Sequence, residues 1–197
     1  IDGVLTDYPA CFYRWLGEEH LAGKLPMAAK AYHDGLPLKD RVALKRLYRQ
    51  SGVKQRLPIL PGGLELLQLI RQRSQLKIIL LTNRPYEEHY RIYPDTLEWL
   101  AANSLPYDAI LWARDKGLEA VKHFSTVHWA VDDSPANIKR LKEAGITTIQ
   151  VDPQDTRCDT AALHQFMLDL SRGGKPLEHV GFLWDQHLAA KEAAHAG

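Results

Sequence analysis

The sequence predicts an α/β fold with a parallel sheet and one small helical insertion. Four short apolar runs, rich in β-branched residues and bounded by polar or Gly/Pro segments, are typical of buried strands. Helical patterns separate most of these runs, and alternating strands and helices favour parallel pairing with helices on the sheet faces. The predicted strands are Lys77–Thr82, Ala109–Trp112, Val127–Val131 and Ile146–Val151.

Helices are predicted from apolar spacing and from residues that start or stop helices. A helix opens at Pro61-Gly62-Gly63, and a second runs from about Pro94 to Asn103. A third follows Ser134-Pro135, where Ser134 is expected to cap the helix and Gly145 to end it. Two further helices are predicted at Ala161–Leu170 and Phe182–His195.

Residues 11–57 interrupt this alternation because they contain helical stretches and no convincing strand. The stretches are Cys11–His20, Met27–Tyr32 and Lys39–Gln50. We therefore predict an α/β core at 1–10 and 58–170, a helical insertion at 11–57, and a C-terminal helical tail at 171–197.

Composition indicates an ordinary soluble globular protein, with 45% hydrophobic and 25% charged residues. The net charge of +1 provides no large field toward nucleic acid or membrane. Two cysteines are too few for a disulfide framework, and no apolar run reaches the length of a membrane span. These features predict a cytoplasmic protein with no membrane partner.

Polar residues follow the predicted strands, at the edge where ligands bind in open parallel sheets. Thr82-Asn83 follows the first strand, Lys116 comes shortly after the second, and Asp132-Asp133 follows the third. An Asp-Gly pair, Asp2-Gly3, stands at the start. Carboxylates, a hydroxyl, backbone amides and an ammonium together suit phosphoryl transfer assisted by Mg²⁺.

These residues resemble, in order, the four motifs of the haloacid dehalogenase superfamily. The motifs correspond to Ile1-Asp2-Gly3-Val4-Leu5-Thr6-Asp7, Ile79–Pro85, Lys116 and Ala130–Ile138, within residues 1–10 and 58–152. The resemblance implies a Rossmann-like three-layer core with a cap inserted after the first motif. It also implies Mg²⁺ as cofactor and an aspartyl-phosphate intermediate.

The resemblance implies a role for each matched residue. Asp2 would protonate the leaving group and then activate water, and its carbonyl would bind Mg²⁺. Lys116 would neutralise the phosphate and the nucleophile, with Lys122 as a nearby competitor for this role. Asp132 would bind Mg²⁺, and Asp133 would bind it or orient its water shell.

The second motif would bind the phosphate through the Thr82 hydroxyl and the Asn83 amide. The nucleophile would be an Asp immediately before Ile1, a position outside the 197 residues. We expect the protein to have it, because the strand that carries it is central in this fold and its loss would expose two strand edges. The alternative is a non-catalytic phosphate- or nucleotide-binding module.

Local features resemble the 5′(3′)-deoxyribonucleotidase branch, namely Asp7-Tyr8, Leu60–Leu64 and Arg114-Asp115-Lys116. A small phosphorylated substrate is therefore expected, with a nucleoside or deoxynucleoside monophosphate preferred. The second motif, Thr82-Asn83-Arg84-Pro85, departs from that branch and is also similar to polynucleotide 3′-phosphatase domains. A nucleic acid end stays open as an alternative partner, and a homodimer stays open as an oligomeric state.

Overall fold

The computed structural model describes residues 1–195 as a mixed α/β protein with parallel strands. The strands are β1 Ile79–Thr82, β2 Ala109–Trp112, β3 Ala130–Asp132 and β4 Thr148–Gln150. The α-helices are α1 Ala10–His20, α2 Pro26–Asp34, α3 Leu38–Gln50, α4 Gly63–Arg73, α5 Ile92–Ala102, α6 Lys116–His123, α7 Pro135–Glu143, α8 Thr160–Arg172 and α9 Val180–His195. Two short 3₁₀ helices occupy Val53–Arg56 and Leu177–His179. Residues 196 and 197 of the predicted C-terminal tail lie outside the described residues.

The strands form two separate parallel pairs among the described residues. β1 pairs with β2 from Ile79↔Ala109 to Thr82↔Trp112, and β3 pairs with β4 from Ala130↔Thr148 to Asp132↔Gln150. All four predicted strand positions are confirmed. The expectation of one sheet edge that carries every candidate residue is not met, because β1 and β3 do not hydrogen-bond to each other.

Three of the four strands are shorter than the apolar runs that predicted them. Residues 77–78 precede β1, where Ile78 exchanges hydrogen bonds with Asp108, and residues 127–129 precede β3. A strand forms only where a neighbouring backbone accepts and donates ladder hydrogen bonds. The apolar runs therefore predict the positions of the strands better than their lengths.

The helix predicted after Ser134 is present, but its start differs in detail. Ser134 occupies the N-cap position, yet its side chain makes no capping hydrogen bond; instead the Ser134 amide donates to Asp132 Oδ1 at 2.9 Å. At the other end Gly145 has φ +78°, and the Ile146 amide donates to the Leu141 carbonyl at 3.0 Å. This left-handed glycine ends α7 as predicted.

The contacts divide the chain into two compact units. Unit 1 contains residues 1–5, 59–83 and 105 onward, and unit 2 contains residues 6–58 and 84–104. Unit 1 therefore holds all four strands and every residue predicted to do chemistry. Unit 2 holds α1, α2, α3 and α5.

Unit 1 is held together by apolar packing against its strands. The buried residues Ala120, Leu141 and Ile146 form one cluster, which is joined by Leu81 and Val127. Beside it lies a cavity of about 570 Å³ lined by residues of α4, β1, α6 and β3 and by Ile1. Lys116 and Asp132 also line this cavity.

Unit 2 is organised around aromatic residues. Phe12 and Tyr48 are buried, and their ring centroids lie 5.3 Å apart in an edge-to-face arrangement. In α5 the buried Trp99 donates its indole hydrogen to the Leu57 carbonyl at 2.7 Å. No helix among residues 1–195 combines the length and the apolarity needed to cross a membrane.

Candidate functional site

The centre of the candidate site is a buried ion pair between Lys116 and Asp132. Lys116 Nζ lies 2.6 Å from Asp132 Oδ2, and the side chains are 8% and 4% exposed. Burying both charges costs several kcal/mol of desolvation per ion, which only a close and well-bonded pair offsets. A paired ammonium and carboxylate at this depth are groups suited to binding a charged ligand.

Local structure fixes both members of the pair. Lys116 is the first residue of α6, and Asp115 caps that helix by accepting a hydrogen bond from the Leu118 amide at 3.0 Å. Asp132 is the last residue of β3, so its carboxylate lies at the carboxyl end of a parallel strand. The competing Lys122 is 63% exposed and lies 3.6 Å from Glu119, away from this pair.

Asp132 also accepts two hydrogen bonds on its other oxygen. The Ser134 amide and the Asn137 side-chain amide each lie 2.9 Å from Asp132 Oδ1. Asn137 is a site residue that the sequence reasoning missed, although the AVDDSPANI motif contains it. Its position in the first turn of α7, directly after the strand, is the signal that could have identified it.

The first motif lies against the fourth through Gly3 and Asp133. Gly3 has φ +77°, and a Cβ built on it would lie 1.9 Å from Asp133 Cγ. Only a residue without a side chain allows this approach, which explains the glycine at the turn. Residues more than a hundred positions apart in sequence therefore meet.

Burial raises the pKa of Asp133, and the negative charge of Asp132 raises it further. Two neighbouring carboxylates that share one site are an unfavourable arrangement without a nearby cation. Lys116 supplies one positive charge to this pair.

The second motif is close to the first at the end of β1. The Ile1 nitrogen lies 3.5 Å from the Leu81 carbonyl oxygen, next to Thr82. The Thr82 side chain is buried, and the backbone carbonyl of Thr82 accepts a hydrogen bond from the Ala113 amide at 2.8 Å. Asn83, the next residue, is exposed. Asp2 follows Ile1 and is half-buried.

Direct contacts thus join Lys116 to Asp132, Gly3 to Asp133, and Ile1 to the residue before Thr82.

The donor set fits a hard cation better than a soft one. Asp2, Asp132 and Asp133 offer carboxylate and carbonyl oxygens, which are the ligands that Mg²⁺ prefers. No three His, Cys, Asp or Glu side chains of residues 1–195 converge closely enough to hold a metal ion by themselves. Mg²⁺ commonly takes only one or two carboxylates and completes its shell with water and phosphate oxygens, so the adjacent carboxylates Asp132 and Asp133 fit this ion.

No family model, no curated protein and no solved structure matches the chain. The assignment of function therefore depends on the residues and their geometry.

Proposed function

We propose that the protein is a Mg²⁺-dependent phosphomonoester hydrolase of the haloacid dehalogenase type, with its catalytic core in unit 1. The observation that carries the proposal is the 2.6 Å contact of Lys116 with Asp132, next to the packing of Asp133 on Gly3. Three of the four motifs meet in these contacts. Neighbouring strand-end carboxylates with a buried ammonium are what a phosphate dianion and its metal require.

The proposed reaction has two displacements at phosphorus. An aspartate immediately before Ile1 attacks phosphorus in line, an aspartate–phosphorus bond forms, and the ester oxygen leaves with a proton from Asp2. Asp2 then takes a proton from water, whose oxygen forms a new bond to phosphorus as the aspartyl-phosphate bond breaks. Lys116 and Thr82 contact phosphoryl oxygens, together with the Asn83 amide.

The shape of unit 1 supports a strand that carries this nucleophile. The cavity of about 570 Å³ is lined by β1 and β3, each of which uses only one edge in the two strand pairs of the described residues. Ile1, Lys116 and Asp132 line the same cavity. A parallel strand in this cavity would join the pairs into one sheet and end beside the buried ion pair.

In the proposal the Asp2 carbonyl and Asp132 would hold Mg²⁺, and Asp133 would be a further ligand or an acceptor for the metal's water. When bound, Mg²⁺ would neutralise phosphate charge and orient the ester. The position of Asp133 directly after Asp132 supports this assignment, because a cation beside both carboxylates would relieve their mutual repulsion.

The proposed substrate is a small phosphorylated metabolite in the cytoplasm, with a nucleoside or deoxynucleoside monophosphate preferred. Polynucleotide 3′-phosphate ends are the second candidate substrate. The second motif, Thr82-Asn83-Arg84-Pro85, favours them because it is similar to that of polynucleotide 3′-phosphatase domains. The deciding experiment measures phosphate release by the full-length protein from nucleoside monophosphates, sugar phosphates and 3′-phosphorylated oligonucleotides, with Mg²⁺ or EDTA. Mg²⁺-dependent release is expected, and its absence from every substrate would favour a non-catalytic binding module.

Asp132→Ala tests the proposed metal ligand. The substitution should lower turnover and shift the Mg²⁺ concentration at half-maximal activity upward, because a direct carboxylate ligand is lost. Asp132→Asn, which retains an acceptor for Ser134 and Asn137, separates this effect from misfolding. Asp185→Asn, an exposed carboxylate of unit 1, is the matched control. An unchanged Mg²⁺ titration in both Asp132 variants would refute the role.

A further inference from the structure

Helix α3 of unit 2 is strongly basic, although the chain as a whole is nearly neutral. Its thirteen residues include five basic side chains and one acidic one, Asp40. The basic residues are Lys39, Arg41, Lys45, Arg46 and Arg49. This concentration of positive charge is a local feature that the net charge of +1 hides.

Several of these charges are available to a ligand. Lys39 and Arg46 are exposed, and Lys45 is half-buried. Within the described part of the chain, none of these three side chains forms an ion pair with a carboxylate. Solvated basic side chains on one helix are a suitable surface for a chain of phosphates.

A segment rich in tyrosine lies beside this helix. Arg49 Nη1 donates to His89 Nε2 at 3.2 Å, so the middle of segment 86–93 meets the carboxyl-terminal half of α3 at this residue. Burial lowers the pKa of His89, and the positive charge of Arg49 lowers it further. The lowered pKa favours the neutral imidazole, which is the form that accepts the hydrogen bond from Arg49.

The segment presents three exposed aromatic rings. Tyr86, Tyr90 and Tyr93 are 38%, 74% and 46% exposed, and the Tyr86 and Tyr93 ring centroids are 6.2 Å apart. Glu87 and Glu88 balance the nearby Arg84 and Arg91 in charge. The segment therefore contributes aromatic rings to this surface, while α3 contributes the positive charge.

We propose that unit 2 binds single-stranded nucleic acid through the basic residues of α3 and the tyrosines of residues 86–93. The Lys and Arg side chains would contact phosphodiester oxygens, and the tyrosine rings would stack on bases. This binding does not depend on the proposed phosphatase activity.

The observations favour nucleic acid over an anionic membrane. A membrane-surface helix inserts a continuous apolar face between its basic residues. The exposed aliphatic residues of α3 are Leu38, Val42 and Leu47. Leu38 and Val42 share a face over a single turn, but Leu47 lies about 140° around the helix from Val42 at 3.6 residues per turn, so no continuous apolar face runs along α3. Adjacent exposed tyrosines instead match the stacking platforms of single-strand binders.

The test is fluorescence anisotropy of the full-length protein with a labelled oligothymidylate that has no terminal phosphate, in EDTA. Omitting the phosphate and the metal separates this result from success or failure of the proposed catalysis. The combined variant Lys39→Gln/Lys45→Gln/Arg46→Gln should weaken binding at least ~10-fold and reduce the salt slope by roughly two, at about 0.7 per lost phosphate contact. Lys175→Gln, an exposed lysine of unit 1, is the control for charge and should not change binding.

Tyr90→Ala tests the stacking component separately and should weaken binding about fivefold or more. Tyr32→Ala, a 47% exposed tyrosine on α2, is its control and should bind like the wild type. Thermal melts and turnover of a generic phosphomonoester would report on the folding and on the unit 1 site of each variant. The proposal would be overturned by lack of binding at low salt, by equal effects of test and control variants, or by binding to phosphatidylserine vesicles but not to the oligonucleotide.

Discussion

Asp132 is the residue on which most of the site's contacts converge. It accepts from Lys116, from the Ser134 amide and from Asn137, so both carboxylate oxygens are engaged by residues of α6 and α7 and the turn between β3 and α7. Buried ion pairs contribute little net stability compared with a well-packed apolar pair. The pair of Lys116 with Asp132 is therefore weak evidence for stability, and the proposed binding of a charged ligand gives it a different purpose.

Lys116→Met should lower the free energy of unfolding by about 3–5 kcal/mol, because it leaves the Asp132 carboxylate buried without its counter-charge. The measurement is urea unfolding at neutral pH, without added metal. Lys122→Met on the same helix is the control, and its exposed pair with Glu119 should be worth less than about 1 kcal/mol. Equal losses in the two variants would argue against a buried pair.

Gly3→Ala should destabilise unit 1 because the new methyl group would overlap the Asp133 carboxylate. Gly23 is a matched control because it has the same φ of +77°. A Cβ built on Gly23 would have no neighbouring atom within 4 Å. Gly23→Ala should cost about 1 kcal/mol from the left-handed backbone alone, and Gly3→Ala about 2–4 kcal/mol with overpacking added. Similar thermal melting points for both variants would refute the close approach of Gly3 to Asp133.

At the scale of elements, Asp108 connects α4 to the starts of β1 and β2. Its carboxylate accepts two hydrogen bonds from Arg71, at 3.1 and 3.0 Å, and one from the Ile78 amide at 2.7 Å. The Arg71 guanidinium, followed by the Ile78 amide, lowers the pKa of the Asp108 carboxyl below its usual value. This carboxylate sets where the ladder of β1 with β2 begins.

The pH dependence of this contact has a definite sign. Because the folded pKa lies below that of the unfolded chain, about 3.9, Asp108 contributes stability above that pH and loses it as the pH falls through the folded value. Asp108→Asn should therefore cost about 1 kcal/mol at pH 7, given the partial exposure of the pair, and much less near pH 3. Urea unfolding of both proteins across this range checks the prediction; a constant difference would contradict it.

The positions of the strands and of most helices could be predicted because apolar runs and turn residues are local signals. Ser134 and Gly145 bound α7 as expected, yet the Ser134 side chain does not cap the helix; the Ser134 amide donates to the Asp132 carboxylate. The pairing of β1 with β2 and of β3 with β4 as separate sheets could not be predicted. The composition of a run indicates that it is buried, but not which backbone lies beside it.

At the scale of the whole molecule, residues 84–104 group by their contacts with residues 6–58. No local sequence pattern predicts this grouping, which arises from long-range contacts such as Trp99 with Leu57, Gln55 with Asp95 and Arg49 with His89. The candidate phosphate site and the basic α3 surface therefore belong to different units. The candidate site residues are chosen from the sequence because they follow apolar runs in a fixed order, whereas Asn137 is identified only from its contact with Asp132.

The phosphohydrolase proposal is tested most directly by the turnover number of Asp2→Asn with Mg²⁺ and a generic phosphomonoester. Loss of the proposed acid–base group should lower kcat by at least ~10²-fold relative to the full-length wild type. Asp185→Asn, an exposed carboxylate in the same unit, should retain wild-type kcat. Near-wild-type kcat in a folded Asp2→Asn protein would contradict the account.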